Sequence, residues 1–431
     1  MNKICQYIRM GIFILLVSVS LVFPRVTTLP TKIERVTFSG NHKVLSSSIS
    51  GNGQAIIYIL EMKSDGNTHK SVRFLQLDTG QEGEIFSEAD HSLQKPFGQG
   101  RLMLGSKPPL LSGDGRTAVF LLSLGEPENI IDHFLAVANT ADKRIQLFSF
   151  PHESLKGLDA GSMGFQSSNW ERISHFSIND DGTRIACAVK GHLGPRRFGS
   201  CSGIILLDLK NKTRSMALGP VFADETWNWP TYPRNPLLGG GWAFALSGNG
   251  NKLLFGAQSS EDKADYDLYV MTWPDGPATR ITRFSDRWFS MADIGFDGEQ
   301  VVFFYSGNKE QGIGTYRVKV DGSGLQKISS PSTPRVELYG FAGKSSCLFY
   351  KNVYQGMMMV LSSGKEYLIL EPRIPGYASG VIPMDFPQVP AFWTPRGISY
   401  NGDKVLLSGL PTGRQSPEIY VLSIDVVKAK Q

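Results

Sequence analysis

The stretch Phe244-Ala-Leu-Ser-Gly-Asn-Gly-Asn-Lys-Leu-Leu-Phe255 decides the fold. Two apolar runs flank Ser-Gly-Asn-Gly, a turn sequence whose Asn and Gly tolerate the positive φ of a tight reversal. The chain then continues Asp267-Leu-Tyr-Val-Met-Thr272, turns at Pro274-Asp-Gly276 and ends Thr279-Arg-Ile-Thr282. The order is strand, turn, strand, loop, strand, turn, strand, which predicts one four-stranded antiparallel sheet. The β-branched and aromatic residues beside the turns suit a pleated, half-buried surface.

The same unit recurs along the chain. Its first half reads Ser48-Ile-Ser-Gly-Asn-Gly-Gln-Ala-Ile-Ile-Tyr58, Leu110-Leu-Ser-Gly-Asp-Gly-Arg-Thr-Ala-Val-Phe120 and Phe176-Ser-Ile-Asn-Asp-Asp-Gly-Thr-Arg-Ile-Ala186. Further on it reads Ala292-Asp-Ile-Gly-Phe-Asp-Gly-Glu-Gln-Val-Val-Phe303, a degenerate Tyr339 to Tyr350, and Gly397-Ile-Ser-Tyr-Asn-Gly-Asp-Lys-Val-Leu-Leu407. Such recurrence predicts an all-β, seven-bladed β-propeller of four-stranded antiparallel blades, with six or eight blades as alternatives. The last unit has only three clear strands. Lys32-Ile-Glu-Arg-Val-Thr-Phe38 is expected to supply its missing outer strand, closing the ring and removing an exposed edge. Residues 31–431 then form a single propeller domain behind a 1–30 leader.

Several short patterns carry a family likeness. Asp267-Leu-Tyr-Val270 with Arg280-Ile-Thr282, Val320-Asp-Gly-Ser-Gly-Leu-Gln-Lys-Ile-Ser329 and Pro417-Glu-Ile-Tyr-Val421 resemble the TolB-like β-propeller repeat. The resemblance runs over most of residues 44–425 and implies the propeller fold. It lies in the repeats alone; the separate α/β domain of the founding family is not expected ahead of residue 44. Such repeats serve many roles, so the likeness names no activity.

At 431 residues and 41% hydrophobic content the chain can bury a substantial core. Its formal charge is +5. Lys3, Arg9 and Arg25 lie in the first thirty residues, which hold no acid, so the remainder is close to neutral. No basic run or basic-aromatic stripe appears, which argues against nucleic acid as partner. Lys3 and Arg9 precede an uncharged apolar run over residues 10–23 that Pro24 ends. That run is short for a spanning helix, which needs roughly 20 residues, and fits a signal-peptide core. The leader is read as a cleaved signal peptide or an uncleaved amino-terminal anchor, and either places the propeller outside the cytoplasm, periplasmic or secreted. An uncleaved leader would tether it to a membrane through residues 10–23.

Export gives the cysteines meaning. Cys187 lies in a second strand and Cys201 opens the third strand of the same unit, so antiparallel pairing is expected to bring them close. A Cys187–Cys201 disulfide would staple the intervening loop in an oxidising compartment.

Loop lengths sort by position. Links between first and second strands, and between third and fourth, are tight. Long segments join second to third strands (123–132, 191–200, 258–266, 409–417) or one unit to the next (87–109, 151–174, 219–241, 371–396). In an antiparallel blade these two kinds of link leave on the same face. The insertions therefore gather over one mouth of the ring, the expected binding face. The richest insertion, residues 222–236, carries Trp227, Trp229, Tyr232 and Arg234, with Trp242 just after and Trp393 in a second aromatic segment. These six residues are the candidate ligand contacts, aromatic platforms with a polar anchor.

Catalytic signatures are missing: no Gly-x-Ser-x-Gly, no His-Glu-x-x-His, no Walker loop and no dinucleotide fingerprint. No cofactor or metal is expected. The expected role is a monomeric, non-catalytic binding or scaffold propeller that takes a protein, peptide or envelope glycan. The alternative is a propeller-type polysaccharide lyase or glycoside hydrolase, for which His175, Asp224 and Glu225 would be the catalytic set.

Overall fold

The computed structural model describes residues 27–28, 31–37, 42–64, 66–90, 101–105, 107–126, 129–149, 172–192, 200–222, 243–258, 266–284, 289–305, 312–328, 336–342, 347–352, 356–360, 366–370, 393–409 and 416–425. Their strands form seven sheets. In chain order the first comprises Lys43–Ile49, Ala55–Ser64, Asn67–Gln76 and Glu82–Ser87. The second has a two-piece inner strand, Leu102–Leu104 and Leu110–Leu111, followed by Thr117–Glu126, Asn129–Asn139 and Ile145–Ser149. The third is Arg172–Ile178, Arg184–His192, Ser200–Asp208 and Thr213–Phe222. The fourth is Phe244–Leu246, Lys252–Gln258, Tyr266–Thr272 and Ala278–Arg280. The fifth is Phe289–Ile294, Gln300–Tyr305, Gly314–Lys319 and Gln326–Lys327.

The sixth sheet, degenerate in sequence, is Val336–Ala342, Cys347–Asn352, Gly356–Val360 and Glu366–Leu370, with Thr27–Thr28 added parallel to its outer strand. The seventh is Trp393–Ile398, Lys404–Gly409 and Glu418–Ile424, completed by Thr31–Arg35 from the other end of the chain. Each sheet's first strand touches the first strand of the next, and Trp393–Ile398 returns to Lys43–Ile49. The result is an all-β propeller of four-stranded antiparallel blades whose inner strands ring an axis.

The turn chemistry explains why each hairpin starts where it does. In the first sheet the Ser50 hydroxyl donates to Asn52 Oδ1 and accepts from the Ala55 amide at 3.0 Å, while Asn52 Oδ1 accepts from the Gln54 amide. Ser112 with Asp114, and Ser247 with Asn249, repeat this arrangement. The following glycines, from Gly53 to Gly402, hold φ between 69° and 76°. Apolar faces then pack sheet against sheet: Ile57, Ile59 and Val72 of the first meet Phe120, Leu122 and Ala136 of the second, all nearly inaccessible to solvent.

Ring closure uses the same side-chain lock as an ordinary sheet. In the fourth, the buried Asp267 accepts from Thr282 Oγ1 at 2.8 Å, from the Phe284 amide at 3.0 Å and from the Arg280 guanidinium. Thr282 Oγ1 also accepts from the Leu268 amide. In the seventh, the buried Glu418 accepts from Thr37 Oγ1 at 2.7 Å and Arg35 at 2.8 Å, and Thr37 Oγ1 accepts from the Ile419 amide. Arg35, the last residue of the amino-terminal strand, and Thr37 just beyond it thus reproduce Arg280 and Thr282.

Two expectations are corrected. The third sheet pairs Cys187 with Ile205, and Cys201 with Gly191. The cysteines stand four residues out of register, about 13 Å along a strand, whereas a disulfide needs Cα atoms within about 7 Å. Cys187 is a free, fully buried thiol, and burial pushes its pKa well up. The second correction concerns the segment 123–132, expected as a loop. Ser123 and Asp132 lie within paired strands, and the hairpin extends to Glu126 and Asn129.

Candidate functional site

The two mouths of the ring are built differently. On one face the inner hairpin turns meet around the axis. The Asn52 amide donates to the Gly113 carbonyl, Asp114 to Asp180, Asp180 to Gly248, Asn249 to Phe296, and Tyr400 to Gly51, all at 2.6–2.9 Å. Among the described turns each of these five bonds ties one turn to that of the neighbouring sheet, which fixes the backbone spacing.

One position per turn faces this mouth. It is Gly51, Gly113, Asp180, Gly248, Phe296 and Tyr400 in the six described turns. The rings of Phe296 and Tyr400 meet edge to face with centroids 5.1 Å apart. Tyr400 reaches across the axis. A Cβ on Gly51 would lie 1.9 Å from its ring, and one on Gly113 would lie 2.5 Å from that ring and 1.6 Å from Asp180 Oδ1. A Cβ on Gly248 would lie 2.2 Å from the Phe296 ring. The three glycines are therefore the space that two aromatic rings and one carboxylate occupy. Burial, and then the carboxylates of Asp180, Asp293 and Asp114, hold the Tyr400 phenol far above its ordinary pKa, so it stays neutral.

This plug is testable by a double-mutant cycle. Gly51→Ala is expected to cost about 1–3 kcal/mol by overpacking. Combining it with Tyr400→Ala should destabilise by less than the two single changes together, with a coupling of about 1 kcal/mol or more in urea unfolding. Simple additivity would show that Tyr400 does not fill the space at Gly51.

The other mouth is where inner strands begin and where second strands hand over to third strands. Trp393 starts the seventh sheet's inner strand here, opposite Gly409. Trp227, Trp229, Tyr232, Arg234 and Trp242 lie outside the described residues, as do Asp224 and Glu225. His175 is the one member of the catalytic set that is placed. It is half-buried, follows a bulge between Ile173 and His175, pairs with Ala188, and its ring centre lies 6.5 Å from that of Phe244. That position sets it between the third and fourth sheets. Among the described residues no group of three or more His, Cys, Asp or Glu could hold a metal ion. None of their helices is long and apolar enough to cross a membrane.

Phe296 and Tyr400 escaped the reading of the sequence as site residues. Aligning the turns exposes them, because one position is glycine in three turns, Asp180 in a fourth and a bulky ring in the other two.

No family model matches the chain, and no curated protein matches it. Solved structures do share its fold. The β-propeller domain of the Trilobed protease from Pyrococcus furiosus superposes with a TM-score of 0.52 at 12% identity, covering 88% of this chain and 95% of that one. Oligogalacturonate lyase from Vibrio parahaemolyticus gives 0.53 at 12% identity, covering 92% and 97%. Pyrococcus horikoshii acylaminoacyl peptidase gives 0.51 at 11%, covering 93% of this chain and 55% of the peptidase. At such identities the likeness is one of fold.

Proposed function

We propose that the chain is an extracytoplasmic, seven-bladed propeller that binds rather than transforms its ligand, holding a protein, peptide or envelope glycan over the inserted-loop face. One observation carries this reading: among the described turns Tyr400 and Phe296 fill the space over Gly51, Gly113 and Gly248 at the opposite mouth, which favours the loop face as the approach to the axis. Seven sheets whose inner strands touch in sequence and return to the first support the blade number. The charged, apolar leader and the TolB-like repeats support the location. The aromatic insertion around Trp227 and Trp229, with Trp393 at the same mouth, supplies the contacts. The protein acts as a monomer without a cofactor, and nucleic acid is not its partner.

A second reading has its own observation. His175 sits on an inner strand, and a lyase shares the fold. An enzyme of the polysaccharide lyase or glycoside hydrolase kind would use it with Asp224 and Glu225.

The test is retention of glycans from a defined panel by the full-length chain, beside a Trp227→Ala/Trp229→Ala double variant. Binding without product, weakened at least about tenfold in the variant, is the expected result. Consumption of the glycan transfers the case to the enzyme. An unchanged variant makes the aromatic loop a packing element.

A further inference from the structure

Asn-Gly occurs three times in the chain, at Asn52-Gly53, Asn249-Gly250 and Asn401-Gly402. Each pair stands in the turn between the first and second strands of its sheet, and all three asparagines are exposed to water. The glycines share one backbone conformation, with φ of 69°, 71° and 73°. Their amides are also held alike, Gly53 donating to the Ser50 carbonyl, Gly250 to Ser247 and Gly402 to Ser399 at 2.8–2.9 Å. Neither backbone nor exposure distinguishes the three turns.

The asparagine side chains do distinguish them. Asn52 Oδ1 accepts from the Ser50 hydroxyl at 2.7 Å and the Gln54 amide at 3.0 Å, and its Nδ2 donates to the Asp114 carbonyl at 3.3 Å. Asn249 Oδ1 accepts from the Ser247 hydroxyl at 2.7 Å and the Asn251 amide at 3.0 Å, and its Nδ2 donates to the Asp297 carbonyl at 2.8 Å. Each of these carboxamides is tied both to its own turn and to the turn of the next sheet. In the seventh sheet the Ser399 hydroxyl donates instead to Asp403 Oδ1 at 2.6 Å. The groups corresponding to the other anchors are the Ser399 hydroxyl, the Asp403 amide and the Asn52 carbonyl. All three belong to described residues, and none of them bonds the Asn401 side chain.

We propose that Asn401 is a site of spontaneous covalent modification in the folded chain, where deamidation through a cyclic imide with Gly402 loosens the Tyr400 plug. The Gly402 amide nitrogen gives up its proton and bonds to Asn401 Cγ. The Cγ–Nδ2 bond breaks, and ammonia leaves with that proton. Water then opens the ring at either carbonyl, leaving aspartate or isoaspartate. Glycine puts no side chain in the way of the attack, and the unanchored carboxamide of Asn401 is free to turn toward it. The aspartate product fits the turn, since Asp114 holds the corresponding place in the second sheet. The isoaspartate product does not, because it carries the main chain through the side-chain carbon and adds an atom between Tyr400 and Gly402. That segment is pinned at both ends, the Tyr400 amide donating to Gly51 at 2.6 Å and the Gly402 amide to Ser399 at 2.9 Å. The Tyr400 ring, set over Gly51 and against Phe296, then loses its position.

Peptide mapping by mass spectrometry tests it on the full-length chain, aged in mildly alkaline buffer and, in parallel, unfolded in concentrated urea. In buffer Asn401 should convert several-fold faster than Asn52 or Asn249. In urea the three rates should converge, because the anchors are gone. Ser247→Ala removes one anchor of Asn249 and should raise conversion there while leaving Asn401 unchanged. The aged fraction carrying isoaspartate at 401 should melt below fresh protein. Asn401→Asp, with the new charge and no added backbone atom, should melt with the fresh protein. Equal rates at the three sites in buffer, no conversion at Asn401, or the same ranking in urea as in buffer overturns the proposal. An unchanged rate at Asn249 in Ser247→Ala overturns side-chain anchoring as its cause. An isoaspartate fraction that melts with fresh protein overturns the link to the Tyr400 plug.

Discussion

Removal of residues 1–37 is expected to be the most damaging change short of disrupting the core itself. A chain beginning at residue 38 loses Thr31–Arg35, so Glu418–Ile424 becomes a bare sheet edge. It also loses Arg35 and Thr37, which bind Glu418, whose side chain is only 2% exposed in the intact ring. Removing the paired cation from a buried carboxylate costs about 3–5 kcal/mol, and the lost strand pairing adds to that. The exposed edge is also a template for another chain. The shortened protein should melt well below one beginning at Thr27, and light scattering should detect concentration-dependent self-association. Restoring residues 27–37 as a separate peptide should recover part of the stability. A shortened chain that melts with the parent and stays monomeric would show that the ring does not depend on its amino-terminal strand.

Asp267→Ala should cost nearly as much, about 3–5 kcal/mol, although no chain terminus is involved. Asp267 is fully buried and takes hydrogen bonds from the Arg280 side chain, Thr282 Oγ1 and the Phe284 amide. Truncation leaves a buried amide and a hydroxyl without their acceptor, beneath a guanidinium 38% exposed. Asp267→Asn keeps the shape and one acceptor oxygen and should lose less. The ordering Ala below Asn below wild type in urea unfolding is the expected result. An Ala variant within about 0.5 kcal/mol of wild type would mean that the lock is decorative. Because Glu418 holds Arg35 and Thr37 in the same way, Glu418→Ala should fall near Asp267→Ala.

The repeat was legible because its signals are local. Asn-Gly and Asp-Gly announced turns at Gly53, Gly115, Gly250 and Gly402, and the positive φ at each shows why those pairs stand there. The strand at the amino terminus was legible for a related reason: three strands in the last unit left one place to fill, and Thr31–Arg35 fills it. The cysteine pairing was not legible. In the third sheet Arg184 stands opposite Asp208, and counting from that pair puts Cys187 against Ile205. Composition carries no trace of a register that one hairpin end determines. The plug was hidden for another reason, since Tyr400 touches Gly51, Gly113 and Phe296 across the ring, residues far apart in the chain. Of the six candidate ligand contacts, Trp393 opens an inner strand opposite Gly409, and the other five lie outside the described residues.

The head of the chain joins two neighbouring sheets, Thr27–Thr28 lying along the sixth and Thr31–Arg35 completing the seventh. That arrangement sets an order in time. A ribosome delivers Arg35 383 residues ahead of Glu418, with which it pairs. Until then Thr31–Arg35 lacks the strand that it completes the seventh sheet with. Contacts of such long sequence separation close slowly. Thr31–Arg35 waits for almost the whole ring to be made before its own sheet can be completed.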